Sequence, residues 1–195
     1  MLIYIIIGIL VVAVLWGIMT YNFFVSAKAR ISAAKQEIGN QLKRQFELIP
    51  NLEESTKGYL KHEKGIFEDL TSARKFVAAA VKSGDLAEMA EAGSKLAGLL
   101  PKIQVLVEDN PELKANEVVA RLMEELRDTS DKVMYSRRLL IDLVADYNVR
   151  RVSFPSNFVA KMFNFEAMVG LKVAEEGEHL QVSDTETKSP KVKLS

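Results

Sequence analysis

From Met1 to Ala27 the chain reads MLIYIIIGILVVAVLWGIMTYNFFVSA, with no charged side chain until Lys28. Isoleucine, leucine and valine fill all sides of a helix drawn through it, so there is no amphipathic stripe to lay it flat on a surface or against one partner. As a helix, Leu2 to Thr20 covers about 29 Å, close to the roughly 30 Å hydrocarbon core of a bilayer. The pattern predicts a membrane span with Leu2, Ile5, Ile9, Val12, Leu15 and Met19 in lipid. Trp16, Tyr21, Phe23 and Phe24, with Lys28 and Arg30, follow as interfacial anchors, because amphipathic rings and long cations prefer the headgroup layer. A cleaved leader would carry a basic segment before a shorter apolar core, and nothing basic precedes this run.

Beyond the span the pattern changes from apolar all round to apolar on one side. Ile31, Ala34, Ile38, Leu42 and Phe46 recur at steps of three and four, with Lys28, Lys35, Gln36, Lys43 and Gln45 on the remainder. The span is therefore expected to continue into the rest of the chain as one rod, about 43 Å from Tyr21 to Ile49. Pro50 suits the first turn of a new helix, so LIPNL predicts a sharp reversal there. A second helix is expected at 51–82, with Leu52, Thr56, Tyr59, Ile66, Leu70, Ala73, Val77 and Ala80 at bundle spacing. Asp85 and Glu88 suggest a capping box for a third. That third segment carries Leu86, Met89, Ala90, Leu96, Leu99 and Leu100, with Gly93 and Gly98 as loose points and a break at Pro101.

EDNPELKAN, residues 108–116, reads as a loop with a turn at Asn110-Pro111, and Asn116 as the N-terminal cap of a fourth helix. That helix, 117–152, steps through Val119, Leu122, Leu126, Thr129, Val133, Ser136, Leu140, Leu143 and Tyr147. Up-down helices with short connections make an antiparallel bundle. Next comes SFPSNFVAKMFNFEAMVGLKV, in which Phe154, Phe158, Met162, Phe163, Phe165 and Met168 crowd together. It is expected either to cap an open end of the bundle or to meet lipid or a second subunit. From Ala174 the composition turns polar and reads as a disordered tail.

The division expected is thus an anchor with its interfacial flank at 1–27, a bundle at 28–152, an aromatic and Met-rich segment at 153–173 and a tail at 174–195. The fold class is all-α, an N-terminal transmembrane helix continuous with an antiparallel up-down four-helix bundle. Lys28, Arg30, Lys35, Lys43 and Arg44 follow the span against Glu37 alone, which places the bundle in the cytoplasm and Met1 outside.

Charge adds mainly exclusions. Lys and Arg number 26 against 26 Asp and Glu, spread along the chain, so the basic footprint of a nucleic-acid binder is missing. No cysteine is present, which removes disulfides, thiolate metal sites and cysteine nucleophiles. A di-metal carboxylate site in a bundle needs Glu-x-x-His on two helices, and none occurs on the helices expected here. His62 beside Glu63 diverges around a helix, and His179 falls in the tail. Neither a G-x-S-x-G elbow nor a Gly-rich phosphate loop is found. Lys43 and Arg44 read as a solvated face with a Lys43 to Glu47 pair, or else as a docking surface.

Several stretches together resemble the LemA family: YNFFV (21–25), QLKRQFELIPNL (41–52), KGYLKHE (57–63), NPELKAN (110–116), ELRDTSDKVMYSRR (125–138) and YNVRRVSFPSNFVAKMFNFE (147–166). The resemblance covers all but the tail. It departs at Ala29 and at 33–35, where the family more often shows Asn and Trp. It implies a bacterial inner-membrane protein, single-pass, with a short external N-terminus, a cytoplasmic helical bundle and a role in membrane biogenesis or organisation. The family has no established enzyme activity and no catalytic residue to carry over.

The function expected is a noncatalytic, membrane-anchored scaffold without cofactor or metal. Its partners would be the lipid bilayer, further copies of itself or other, unidentified proteins, with Phe154, Phe158, Met162, Phe163 and Phe165 as the partner or membrane surface. The alternative is an enzyme, or an enzyme's accessory subunit, working through the Tyr59, His62 and Glu63 neighbourhood.

Overall fold

The structure, a computed structural model, describes residues 1–60 and 64–171. Six helices make it up: α1 Leu2–Leu60, α2 Lys64–Ser83, α3 Leu86–Asp109, α4 Pro111–Lys114, α5 Glu117–Val152 and α6 Ser156–Met162. Among the described residues there is no strand. His62, Glu63, the side chain of Tyr59 and the whole segment expected as a tail, His179 included, lie outside the described part of the chain.

The long helices alternate in direction, as their cross-contacts show. Arg44 of α1 meets Glu125 of α5, while Phe24 meets Tyr147, so these two run antiparallel. Arg74 of α2 reaches both Phe46 and Glu53, and Lys102 of α3 reaches Asp69 of α2. Arg127 and Arg137 of α5 donate to Gln104 and Ser94 of α3. The first 19 residues of the chain touch little of this, since the bundle covers them nowhere. Burial begins at Thr20 and Phe24 and then follows the expected stripe through Ile31, Ala34, Ile38 and Leu42.

Two apolar clusters fill the bundle. The lower one gathers Phe24, Ile38, Leu42, Val77, Val133, Leu140 and Tyr147, the upper one Ile49, Leu52, Leu70, Leu96, Ile103 and Leu126. Between them lies a polar layer. Gln45, expected on the solvated side, is fully buried and donates from Nε2 to Ser130 Oγ at 2.9 Å, while its Oε1 has no partner. Such a layer holds α1 and α5 in one register, because a slip would strand a buried amide at a cost of about 1–3 kcal/mol.

Three expectations about breaks are corrected. The reversal at Pro50 does not occur: α1 runs through it to Leu60 and the second helix starts at Lys64. A proline inside a helix costs about 3 kcal/mol. Ile49 and Leu52 on either side of it are fully buried, and each contributes about 1.5–3 kcal/mol, which offsets the loss. Pro101 likewise sits inside α3, between buried Leu99 and Ile103. Part of the 108–116 loop is helical, because Leu113 is inserted into the upper cluster and draws Pro111–Lys114 into a turn.

Caps behave more nearly as expected. Asp85 accepts from the backbone N–H of Ala87 and Glu88, but Glu88 reaches the hydroxyl of Ser83 instead of closing a capping box, and that oxygen accepts from Asp85 N–H. Asn116 caps α5 through Val118 and Val119. The Lys43 to Glu47 pair is replaced by Arg44 to Glu125 at 3.3 Å, which ties α1 to α5 across the surface.

Gly93 and Gly98 are not equivalent. A Cβ on Gly93 would stand 2.9 Å from Val133 Cγ1, so α3 is packed tightly against α5 at this residue, whereas Gly98 faces open space. Gly98→Ala is expected to stabilise the bundle by about 0.5–1 kcal/mol through helix propensity. Gly93→Ala is expected to destabilise it by about 1–2 kcal/mol, since a β-branched neighbour yields little. Denaturant midpoints of the two variants, compared with the unsubstituted chain, test the difference in sign.

Candidate functional site

At Val152 the chain has come back to the level where α1 loses its cover, and residues 153–171 are built around that level. Ser156 Oγ donates to the carbonyls of Arg150 and Ser153, folding the chain from α5 into α6. Helix α6 then ends on Asn164, which has φ 52°. Asn164 N–H donates to Lys161 O and Phe165 N–H to Ala160 O, the paired bonds of a Schellman stop. Asparagine tolerates that left-handed backbone better than most residues, and it turns the chain back toward the bundle.

The residue after the stop is the keystone. Phe165 stacks on Phe24 at 4.8 Å between centroids, and Phe24 meets Tyr147 edge-on at 5.4 Å. Tyr21 contacts Phe163 at 4.7 Å and Phe165 at 5.6 Å. Two cations cover the outside: Lys28 over Phe165 and Arg150 over Phe23, the latter at 3.9 Å. Each ring pair adds about 0.5–1.5 kcal/mol beyond its buried area. From Phe165 an extended strap runs up the α5 surface. Tyr147 donates its hydroxyl to Glu166 O at 3.0 Å, and Asn148 both donates to Met168 O and accepts from Met168 N–H.

Two expectations about single residues are corrected here. Phe24, expected among the interfacial anchors, is fully buried, and Phe165, expected on the partner or membrane surface, is 9% exposed. They occupy the core because they stack on each other, and both are therefore removed from any outside contact. The other four remain outside: Phe154 is 79% exposed, Phe158 63%, Met162 72% and Phe163 49%. The cap and the exposed surface are thus one segment, split by which way each ring points. Trp16 and Tyr21 are each partly exposed, Phe23 is half-buried under Arg150, and Lys28 and Arg30 are exposed.

Between α6 and the uncovered part of α1 runs an apolar groove of about 520 Å³, lined by Leu10, Val14, Gly17, Tyr21, Met162 and Phe163. Helix α6 therefore lies beside the lower helix, level with its last apolar turns. Its helical spacing puts Phe158, Met162, Val159 and Phe163 on one side and Asn157 and Lys161 on the other. The motif that signals this arrangement is Asn164 just past a short apolar helix, a stop hidden among phenylalanines.

Among the described residues no three of His, Asp and Glu converge as metal ligands. Within the same residues, the one side chain whose ionisation clearly departs from its ordinary range is Tyr147: burial pushes it up, the Arg151 guanidinium opposes this, and the Glu166 carboxylate adds to it. An unfolded chain gives up this proton at about pH 10, while the folded chain holds it longer. The resulting stability is complete below about pH 10 and is lost as pH rises through the folded value. Tyr147→Phe keeps the ring against Phe24 and removes the hydroxyl. It is expected to lower stability by about 0.5–1.5 kcal/mol at neutral pH and to flatten the decline above pH 10. Urea unfolding at neutral and alkaline pH, with amide exchange of residues 165–169 as a local readout, checks both.

Comparison with curated proteins finds no match. The model of the LemA family matches residues 34–191, which takes in most of the bundle, the aromatic segment and the strap and covers most of the chain. The stretches that resemble it lie, where the structure describes them, on α1, α4, α5, α6 and their junctions. The chain belongs to the LemA family.

Proposed function

We propose that this protein is a noncatalytic scaffold held in the bacterial inner membrane by α1, with the bundle on the cytoplasmic side and Met1 outside. The observation that carries the reading is a single 59-residue helix, exposed and apolar on every side from Leu2 to Met19 and then buried along one stripe. Apolar surface of that extent on a water-soluble chain would drive association, and a bilayer is the solvent that suits it. The exposed rings of α6 at the same level support it further, since Phe and Met side chains there extend the apolar surface sideways from the helix.

The bundle offers location, not chemistry, in this reading. Recruitment or self-association is supported by the open side of the α1 and α5 seam, where Ala33, Tyr135, Leu139 and Leu143 line a groove of about 540 Å³. Lys28, Arg30, Arg150 and Arg151 near the end of the apolar stretch support the orientation by the excess of positive charge on cytoplasmic flanks.

The full chain is expected to sediment with membranes, to resist extraction by carbonate and salt, and to be released by detergent. A reporter fused after Ser195 is expected to be active on the cytoplasmic side. In detergent, light scattering at rising concentration is expected to show more than one chain per particle. Intact chain in the soluble fraction overturns the anchor, an external reporter overturns the orientation, and a strict monomer that captures no partner overturns the scaffold.

A further inference from the structure

On the side of α6 away from the apolar groove lies another pocket, of about 430 Å³, whose lining is half polar: Arg151, Asn157, Lys161, Asn164 and Glu166 contribute to it beside Val152, Ala160 and Phe165. Two atoms of its lining residues are buried without a hydrogen-bond partner, a donor in the Nε of Arg151 and an acceptor in the Oδ1 of Asn157. Neither Arg151 nor Lys161 makes an ion pair with any described residue. The strap beside it is closely satisfied, down to the two-way bond between Asn148 and Met168. Two cations without a carboxylate partner, set beside two side-chain amides in one pocket, make a group of donors suited to an anionic acceptor.

We propose that this pocket binds a phosphate group, and that its source is the phosphodiester of a membrane phospholipid. Arg151 would donate from the terminal nitrogens of its guanidinium, Lys161 from its ammonium and Asn157 and Asn164 from their amide nitrogens, a donor set matched to phosphate oxygens. Charge sets the class. Two cations against the Glu166 carboxylate leave one net positive charge, which suits a singly charged diester better than a doubly charged monoester. Position sets the source: Ala160 and Phe165 line this pocket, while Val159 and Phe163, their neighbours in α6 and its stop, line the groove against Leu10 to Tyr21. The pocket thus opens where the apolar stretch of α1 gives way to polar sequence, the level of a headgroup for a chain that spans as proposed above. The inference rests on that reading for the lipid source, but not for the phosphate chemistry.

The full chain purified in mild detergent is presented with phosphatidylglycerol, phosphatidylethanolamine or a non-phosphorus glycolipid, and bound lipid is counted by native mass spectrometry. Inorganic phosphate is titrated separately by calorimetry. One phospholipid per chain should be retained in preference to the glycolipid. Arg151→Gln and Lys161→Gln should each weaken retention by about tenfold, the loss expected when a charge-assisted contact is removed. Lys161 is exposed, so its variant keeps the test valid if the Arg151 variant folds poorly, and circular dichroism reports which does. Inorganic phosphate binding that both variants abolish, without any change in lipid retention, would uphold the phosphate site and overturn its lipid source. Equal retention of all three lipids by native and variant chains, with no phosphate binding, would overturn the proposal. Membrane fractionation of the same variants separates the two readings, since loss of the pocket leaves the chain in the membrane pellet, whereas failure of the anchor does not.

Discussion

One unbroken helix here carries two incompatible surfaces, and the change from one to the other takes place within a turn. Below Thr20 the helix α1 is apolar on all sides and largely exposed, with only α6 beside its last turns. From Phe24 upward it is apolar on one side and polar on the rest, and α2, α3 and α5 cover the apolar side. Because both surfaces share the same hydrogen-bonded backbone, the height of the bundle relative to the apolar stretch is set by the sequence alone. No linker can adjust it. The placement of α5, of α6 and of the strap follows from where that change occurs.

The foot of the bundle shows how the change is sealed. An apolar stripe that simply stopped would leave Phe24 and Tyr147 open at the end of the lower cluster. The chain solves this by passing the level of Phe24, turning through α6, and coming back with Phe165 on top of it. The same excursion leaves four large apolar side chains pointing outward. Together with the neighbouring groove along Leu10, Val14 and Gly17 they make one continuous exposed apolar surface at that height.

Long helices without interruption are legible from the residues. For α5, the steps of three and four, the Asn116 cap and the absence of proline agree, and the helix spans the expected residues. Where a local rule and a packing demand disagree, packing wins. Pro50 and Pro101 are helix breakers by backbone chemistry, and both are carried through by buried neighbours that local sequence cannot weigh. Gln45 defeats the local pattern for the same reason, since its partner Ser130 lies 85 residues away. The aromatic segment is legible in kind but not residue by residue: a phenylalanine in the core and one on the surface look identical in sequence, and only the turn at Asn164 separates Phe165 from Phe163. The polar pocket is invisible there: Arg151, Asn157 and Lys161 lie within the family-like stretch 147–166, but their spacing signals no site, and a reversal of the chain brings them together.

Continuity of α1 also makes it a lever. From Phe24 to Leu60 it extends about 55 Å, so a change of about 10° in the tilt of the apolar stretch swings its far end by about 10 Å. Tilt is how a spanning helix of fixed length accommodates a bilayer of different thickness. In a bilayer, as proposed above, the upper cluster would therefore be displaced sideways by any change in the tilt of the apolar stretch.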